Sequence, residues 1–428
     1  MKILLVGGGG REDAIFRNLR EHGHDVHVCM SNRNPSIISG AASYHIVKET
    51  DWNAVRDIAV KTKPDLVYVS PDGALDTPLV DSLMDSGLAV ASPSRSAARI
   101  ETSKEFMRSL LSRHGVEGNV WNATVSSRDE LIYALGELNA EFVVKPLGLT
   151  GGKGVKVMGY HFPTAEEGIT YASGIMEKEG KVLIEEKLSG EEFSLQAFCD
   201  GRHVFPMPLA QDYKRAFEDD RGPNTGGMGS ITDSDHLLPF VTREQSERSL
   251  YILRKVSAAM EKEGFPFHGV LYGQFMNTSG GIRVVEINAR FADPEGINVL
   301  SIMDDDLGEI LMNVANGNLH RQPIFRRVST VLKYIVPRGY GSSPAPSELS
   351  IESGVLGEGR KLFYASVSGT LDRVTMSTSR ALAVVASAGS IPDASEIVDR
   401  GLKFIHGDFQ VRRDIGSREM MRKKIASA

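Results

Sequence analysis

Short apolar runs alternate with helix-spaced stretches through the first part of the chain. Lys2–Val6 is an apolar run ending in four glycines, and Arg11–His22 behind it has helical spacing. Val26–Met30, Asp65–Ser70 and Leu88–Ala91 predict further strands, with helices over Trp52–Lys61 and Thr77–Asp85 between them. Strand alternating with helix predicts a doubly wound parallel sheet, placed at residues 1–102.

From Ser103 the order of elements changes. Ser103–His114 predicts a helix that opens a new unit. Glu141–Lys145 and Lys156–Gly159 predict a hairpin around the glycine-rich turn Leu147–Gly154. Val182–Lys187, Glu192–Cys199 and Arg202–Pro208 predict three more strands. A long helix over Thr242–Gly264 precedes a second hairpin, Gly269–Asn277 with Ile282–Asn288. The end of the chain is strand-rich: Thr330–Val336, Lys361–Val367, Thr370–Met376 and Ala381–Ser387, then a helix near Ala394–Phe404 and a basic tail. The expected class is α/β and α+β multidomain, with units at 1–102, 103–328 and 329–428.

Composition narrows the classes. A chain of 428 residues exceeds the roughly 250–300 that one core supports. No apolar run approaches the roughly 20 residues of a membrane span, so no membrane partner is expected. Cys29 and Cys199 make neither a disulfide framework nor a metal motif, which predicts a reducing, cytoplasmic setting. A net charge of -6 argues against nucleic acid as partner. The 43 glycines are in excess, and their clustering carries the chemistry.

Gly7-Gly8-Gly9-Gly10-Arg11-Glu12 follows a strand and opens a helix. Such a turn lets backbone N–H groups approach an anion, and Arg11 can add a bidentate contact. The same turn is also compatible with a tight connection that binds nothing. A dinucleotide is disfavoured because no acidic residue closes the second strand. Lys145 and Lys153 belong to the second cluster, Val144–Val155, whose amides and ammonium groups can close over a triphosphate. It is not a Walker A loop, and an exposed hairpin loop is the plainer alternative. Leu183–Leu188 followed by Gly190–Phe193 offers hinge backbone for a base edge and carboxylates for ribose hydroxyls; read alone it is a solvated charged turn.

Gln211–Phe217 leads into Gly222–Gly229, where glycines beside cations suit an anionic substrate. In Val284–Glu295 the strand period places Glu286, Asn288 and Arg290 on one face and Val285 and Ile287 on the other. Carboxylate and amide oxygens suit a divalent cation shared with phosphates. Arg290 can grip a carboxylate or a transferring phosphoryl group. The alternative is the polar face of an edge strand. Histidines lack partners at metal-ligand spacing, and neither GxSxG nor HExxH occurs.

Taken in order, GGGGRED, GLTGGKGV, LIEEKLSGEE, QDYKRAFEDDRGPNTGGMG, EINARFADPE and the closing VRRDIG resemble the phosphoribosylamine–glycine ligase family of the ATP-grasp superfamily. The resemblance implies a preATP-grasp domain, a two-part ATP-grasp with a small subdomain at about 120–190, and a C-terminal β-rich domain. It implies ligation of glycine to 5-phosphoribosylamine with ATP and Mg²⁺ or Mn²⁺, through glycyl phosphate, by a monomer or weak homodimer. On that resemblance Lys104, Lys145, Gly151, Gly152, Lys153 and Gly154 take the ATP phosphates. Glu185, Glu186 and Leu188 frame adenine, and Glu192 takes the ribose. Glu286 and Asn288 hold the metal, while Arg290 and Lys145 serve catalysis. Asp212, Lys214, Arg215, Gly226, Gly227, Met228, Arg290 and Asp293 face the substrates, and Gly10, Arg11 and Glu12 hold the phosphoribosyl group.

Several positions depart from the family pattern: Asp13 replaces a His, Leu147 an Asp, Ser70–Ala74 a GPEAP-like stretch and Ala292 a Gly. A related ATP-grasp ligase with another acceptor is the alternative these departures raise. A nucleotide-binding regulatory protein would not need Glu286, Asn288 and Arg290 together. An NAD-dependent enzyme would rest on Gly7–Gly10 alone.

Overall fold

The computed structural model describes residues 1–148 and 154–427. The chain is mixed α/β, with one parallel sheet and several antiparallel ones. In the N-terminal sheet the strands run in parallel in the order Ser43–Ile46, Asp25–Met30, Lys2–Val6, Leu66–Val69. Lys2–Val6 is central and buried from Ile3 to Val6, which explains its unbroken apolar run. The helix Gly10–Glu21 leaves directly from its C-terminal end.

Two differences from the predicted elements have local causes. Ser43–Ile46 is a strand that the pattern does not announce; it alternates half-buried and exposed positions at the sheet edge. Leu88–Ala91 is not a strand. Only Val90 bridges to Val67, because the Ser92 hydroxyl takes over both the N–H and the carbonyl of Val69. Pro93 then follows, with no N–H to continue a ladder.

The next sheet is antiparallel, in the order Asn122–Val125, Val182–Glu186, Phe142–Lys145, Lys156–Val157. Helices Arg128–Glu137 and Ala165–Glu179 accompany it. Phe142, Val144, Leu131, Ala172 and Ile184 belong to a small core of their own, separate from the main core. A third sheet orders Val204–Pro206, Glu191–Asp200, His268–Thr278 and Gly281–Asn288.

The segment from Gln211 to Thr232, for which the sequence pattern predicts no strand, contains four short ones: Gln211–Asp212, Arg215–Phe217, Arg221–Asn224 and Gly229–Thr232. Gly229–Thr232 pairs with Ser329–Ile335, followed in the same sheet by Leu382–Ala388 and Lys361–Tyr364. One sheet therefore contains strands from both sides of residue 328. A last sheet holds Val367–Gly369, Arg373–Met376, Glu348–Ile351 and Ile405–Gly407. The basic tail forms the helix Arg418–Ser427. Among the described residues, no helix is long and apolar enough to cross a membrane.

Candidate active site

The helix Lys104–Arg113 starts at Ser103, whose hydroxyl accepts from the Phe106 N–H at 3.2 Å. Lys104 and Arg108 lie one turn apart on it and share a face. Lys104 Nζ donates to the Gly148 carbonyl at 2.8 Å. Arg108 is fully buried and forks onto Glu185, with Nε–Oε1 at 2.7 Å and Nη2–Oε2 at 3.0 Å. Lys145 Nζ meets the same carboxylate at 2.7 Å. Burial raises the Glu185 carboxyl, but Arg108 and Lys145 outweigh it and hold it at about 2.

The strand bearing Glu286 carries a local irregularity that completes this network. Its register passes from Glu286 opposite Gln274 to Val284 opposite Phe275, so Val285 falls between paired positions, as in a β-bulge. The Val285 carbonyl accepts from Arg108 Nη2 at 2.9 Å and Lys145 Nζ at 3.3 Å. The small antiparallel sheet and the third sheet are thus joined at the foot of Lys145. Glu186 is tied to Trp121, whose N–H donates to its carboxylate at 3.1 Å. Leu188 follows the strand end and is half-buried. Gly151, Gly152 and Lys153 lie outside the described residues. Gly154 is described, and its carbonyl accepts from Tyr171 Oη at 3.0 Å.

Glu286 and Asn288 are half-buried, while Ile287 is buried, as the strand period predicts; Val285, in the bulge, is half-buried instead, and Arg290, also half-buried, lies past the strand end at Asn288. Asn288 Nδ2 donates to Glu286 Oε1 at 3.1 Å. Turning that amide about its last torsion presents its oxygen beside the carboxylate, the donor set a hard divalent cation takes. Among the described residues no cluster of three or more His, Cys, Asp or Glu offers a metal site of another kind. Arg290 Nη2 pairs with Glu101 Oε1 at 2.9 Å. Burial disfavours its charge, but Glu101, Asp72 and Glu286 raise the guanidinium further above its ordinary value.

Lys214 Nζ pairs with Glu192 Oε2 at 3.0 Å, and Gln274 donates to the same oxygen. Burial alone lowers the Lys214 ammonium; Glu192, Glu286 and Asp212 more than reverse that. Asp212, Tyr272, Gln274, Glu192 and Glu295 line one small pocket. Asp212 Oδ1 is buried without a hydrogen-bond partner among the described residues. Tyr272 Oη donates to Glu295 Oε1 at 2.9 Å. Burial and the neighbouring Glu295 push the Asp212 carboxyl well up.

Other predicted positions are engaged within the protein. Arg11 Nε donates to Glu12 Oε1 at 2.7 Å and Nη1 to the Phe291 carbonyl at 2.8 Å. Glu12 also accepts from Gly9 N–H at 2.7 Å and Ser70 Oγ at 2.5 Å. Gly10 packs so closely on the C-terminal sheet that a Cβ would lie 2.6 Å from Tyr334 Oη. Met228 is fully buried, and its backbone bonds to Tyr213 and Tyr334. The Arg215 guanidinium stacks 3.7 Å from the Tyr160 ring centroid. Asp293 Oδ1 accepts from Tyr334 Oη at 2.7 Å.

Sequence reasoning missed Arg108, Glu101, Tyr272, Gln274 and Glu295, and also Arg380, whose Nη1 donates to the Asp293 carbonyl at 2.8 Å. Arg108 carried a signal, its one-turn spacing from Lys104. Tyr272 and Gln274 are opposite Asn288 and Glu286 in the hairpin, so hairpin register would have found them. Glu101 and Arg380 carry no local signal.

A parallel-sheet domain, a small antiparallel sheet carrying Lys145 and a larger sheet carrying Glu286 and Asn288 define an ATP-grasp protein. Residues 1–101 match the phosphoribosylglycinamide synthetase N domain, and residues 102–296 match its ATP-grasp (A) domain. A phosphoribosylamine–glycine ligase of Pyrococcus horikoshii is 44% identical over 427 residues, 99% of this chain and 97% of that protein. One from Methanoregula boonei is 43% identical over 431 residues, 100% of this chain and 99% of that protein. The crystal structure of the Thermotoga maritima ligase superposes with a TM-score of 0.80 at 25% identity, over 97% of this chain and 100% of that one. The biotin carboxylase domain of Hydrogenobacter thermophilus 2-oxoglutarate carboxylase shares the fold, with a TM-score of 0.77 at 13% identity over 98% and 95% of the two chains. The chain belongs to the phosphoribosylamine–glycine ligase family.

Proposed function

We propose that this chain joins glycine to 5-phosphoribosylamine at the expense of ATP, giving glycinamide ribonucleotide, ADP and phosphate in purine biosynthesis. The observation that carries the reading is the joint at Val285. There Arg108 and Lys145 bind the Val285 carbonyl, next to Glu286 on its strand, which supports placing the phosphate-binding lysine beside the metal-binding carboxylate. No covalent nucleophile is required, because positioning and charge neutralisation supply the catalysis.

On this reading Lys104 and Lys145 hold ATP phosphates, with Gly151, Gly152, Lys153 and Gly154 closing over them. Glu186 and Leu188 frame adenine. Glu185 acts behind them, fixing Lys145 and Arg108, and Glu192 reaches the ribose. Glu286 and Asn288 hold Mg²⁺, or Mn²⁺ in its place, which would neutralise the phosphate charge. Glycine's carboxylate attacks the γ-phosphorus, and ADP leaves; Arg290 orients the resulting acyl phosphate. The amine of 5-phosphoribosylamine then attacks the acyl carbon, and phosphate leaves. Asp212, Lys214, Arg215, Gly226, Gly227, Met228 and Asp293 form the acceptor side, with Gly10, Arg11 and Glu12 toward the phosphoribosyl group. We place the reaction in the cytoplasm, in a monomer or weak homodimer, with units at 1–102, 103–328 and 329–428.

Two of the departures from the family pattern, Asp13 and Ala292, are engaged within the protein and do not favour another acceptor. Asp13 is fully buried and serves an internal contact to the Tyr364 N–H. Ala292 is buried, its N–H donating to Gln196 Oε1 at 2.8 Å. The test is an amino-acid panel with ATP, Mg²⁺ and 5-phosphoribosylamine generated in situ, read by product mass. Glycine alone should give glycinamide ribonucleotide; turnover with another amino acid and none with glycine would overturn the assignment.

A further inference from the structure

Arg380 stands just before the strand Leu382–Ala388, far along the chain from the segments it touches. Its Nη1 donates to the Asp293 carbonyl at 2.8 Å and also to the Gly226 carbonyl. Its Nη2 pairs with Asp293 Oδ2 at 3.2 Å. The Tyr334 ring supports the guanidinium, 4.8 Å from ring centroid to Cζ, while the Tyr334 hydroxyl holds the other Asp293 oxygen. One planar group thus binds the glycine loop, the Asp293–Glu295 turn and the C-terminal sheet together. The loop and turn have no slack between them. At Gly227, with φ of 106°, a Cβ would lie 2.5 Å from Pro294 Cδ and 2.6 Å from Asp212 Oδ1. Such a contact persists only where something holds both backbones in place, and a guanidinium fork on two carbonyls and a carboxylate does so.

We propose that Arg380 is a positioning residue for the acceptor: it fixes Gly226, Gly227 and Asp293 in the geometry that receives 5-phosphoribosylamine. This rests on reading those segments as the acceptor side of the ligase. None of the hydrogen bonds or ion pairs of Arg380 involves Lys104, Lys145, Glu185 or Glu186, so its loss should be felt by the acceptor and not by ATP. A lysine retains the charge but cannot span three acceptors in one plane.

The experiment is steady-state kinetics on the full chain, comparing wild type with Arg380→Gln and Arg380→Lys, with thermal melts alongside. In Arg380→Gln the KM for 5-phosphoribosylamine should rise at least ~10-fold while the KM for ATP stays within ~2-fold. Arg380→Lys should fall between it and wild type, and it provides the same readout if the glutamine variant does not fold. A parallel rise in both KM values would make Arg380 merely structural and overturn the proposal, as would an unchanged KM for 5-phosphoribosylamine. A wild-type chain with no glycine-dependent phosphate release would overturn the ligase reading and this role with it. An active wild type with an unaffected variant would overturn the role of Arg380 alone.

Discussion

Glu185 shows how a residue that reads as a nucleotide contact can serve the site from behind. Its carboxylate is only 3% exposed and is taken up by Arg108 and Lys145. Its folded-state value is depressed from 4.5 to about 2. The stabilisation is therefore complete above about pH 4.5 and is lost as pH falls toward 2, a total of roughly 3 kcal/mol. Arg108→Ala should cost about 3–5 kcal/mol by leaving a buried carboxylate short of its partner, and should flatten that acid dependence. Denaturant melts between neutral pH and pH 3 measure both. Glu286→Gln should behave oppositely: kcat falls at least ~100-fold, the apparent metal affinity weakens and the melt barely shifts. A folded variant with unchanged metal affinity would displace the metal from Glu286.

At the scale of elements, the departure at Asp13 becomes intelligible. The helix Gly10–Glu21 packs beside Lys361–Tyr364. There Asp13 accepts from Ser36 Oγ at 2.6 Å and the Tyr364 N–H at 2.8 Å, with Arg17 on the same carboxylate. Asp13→Ala should cost about 1–3 kcal/mol, the price of leaving buried donors unsatisfied, with both KM values unchanged; urea melts and kinetics check the two halves. Strands buried on both faces were legible because they are continuous apolar runs. Ser43–Ile46 was not, since an exposed edge imposes no pattern. Gly229–Thr232 was hidden because its buried positions are Gly, Ser, Ile and Thr, and of its two partners Gln211–Asp212 is only two residues long while Ser329–Ile335 lies about a hundred residues away.

Across the whole molecule, the site is assembled from three regions, and its legibility divides accordingly. Glu286 and Asn288 sit on one strand, so their period brought them together, while Arg290 lies two residues past the strand end. Lys145 and Glu185 lie on neighbouring strands of one sheet, but their link to Val285 depends on a bulge that no residue type announces. Arg11 and Arg380 reach Phe291 and Asp293 from opposite ends of the chain, and such contacts have no local pattern to read. The separate small core around Phe142 and Ile184 gives the Lys145 sheet a packing unit of its own, suited to closing over nucleotide. On the proposed mechanism glycine's carboxylate takes up the γ-phosphoryl group, so that glycyl phosphate lies on the path to product. Glycine labelled with ¹⁸O in its carboxylate tests this most directly, with ATP, Mg²⁺ and 5-phosphoribosylamine. One labelled oxygen should appear in each phosphate released. Phosphate without label, alongside normal product formation, would contradict the acyl phosphate and the site built around it.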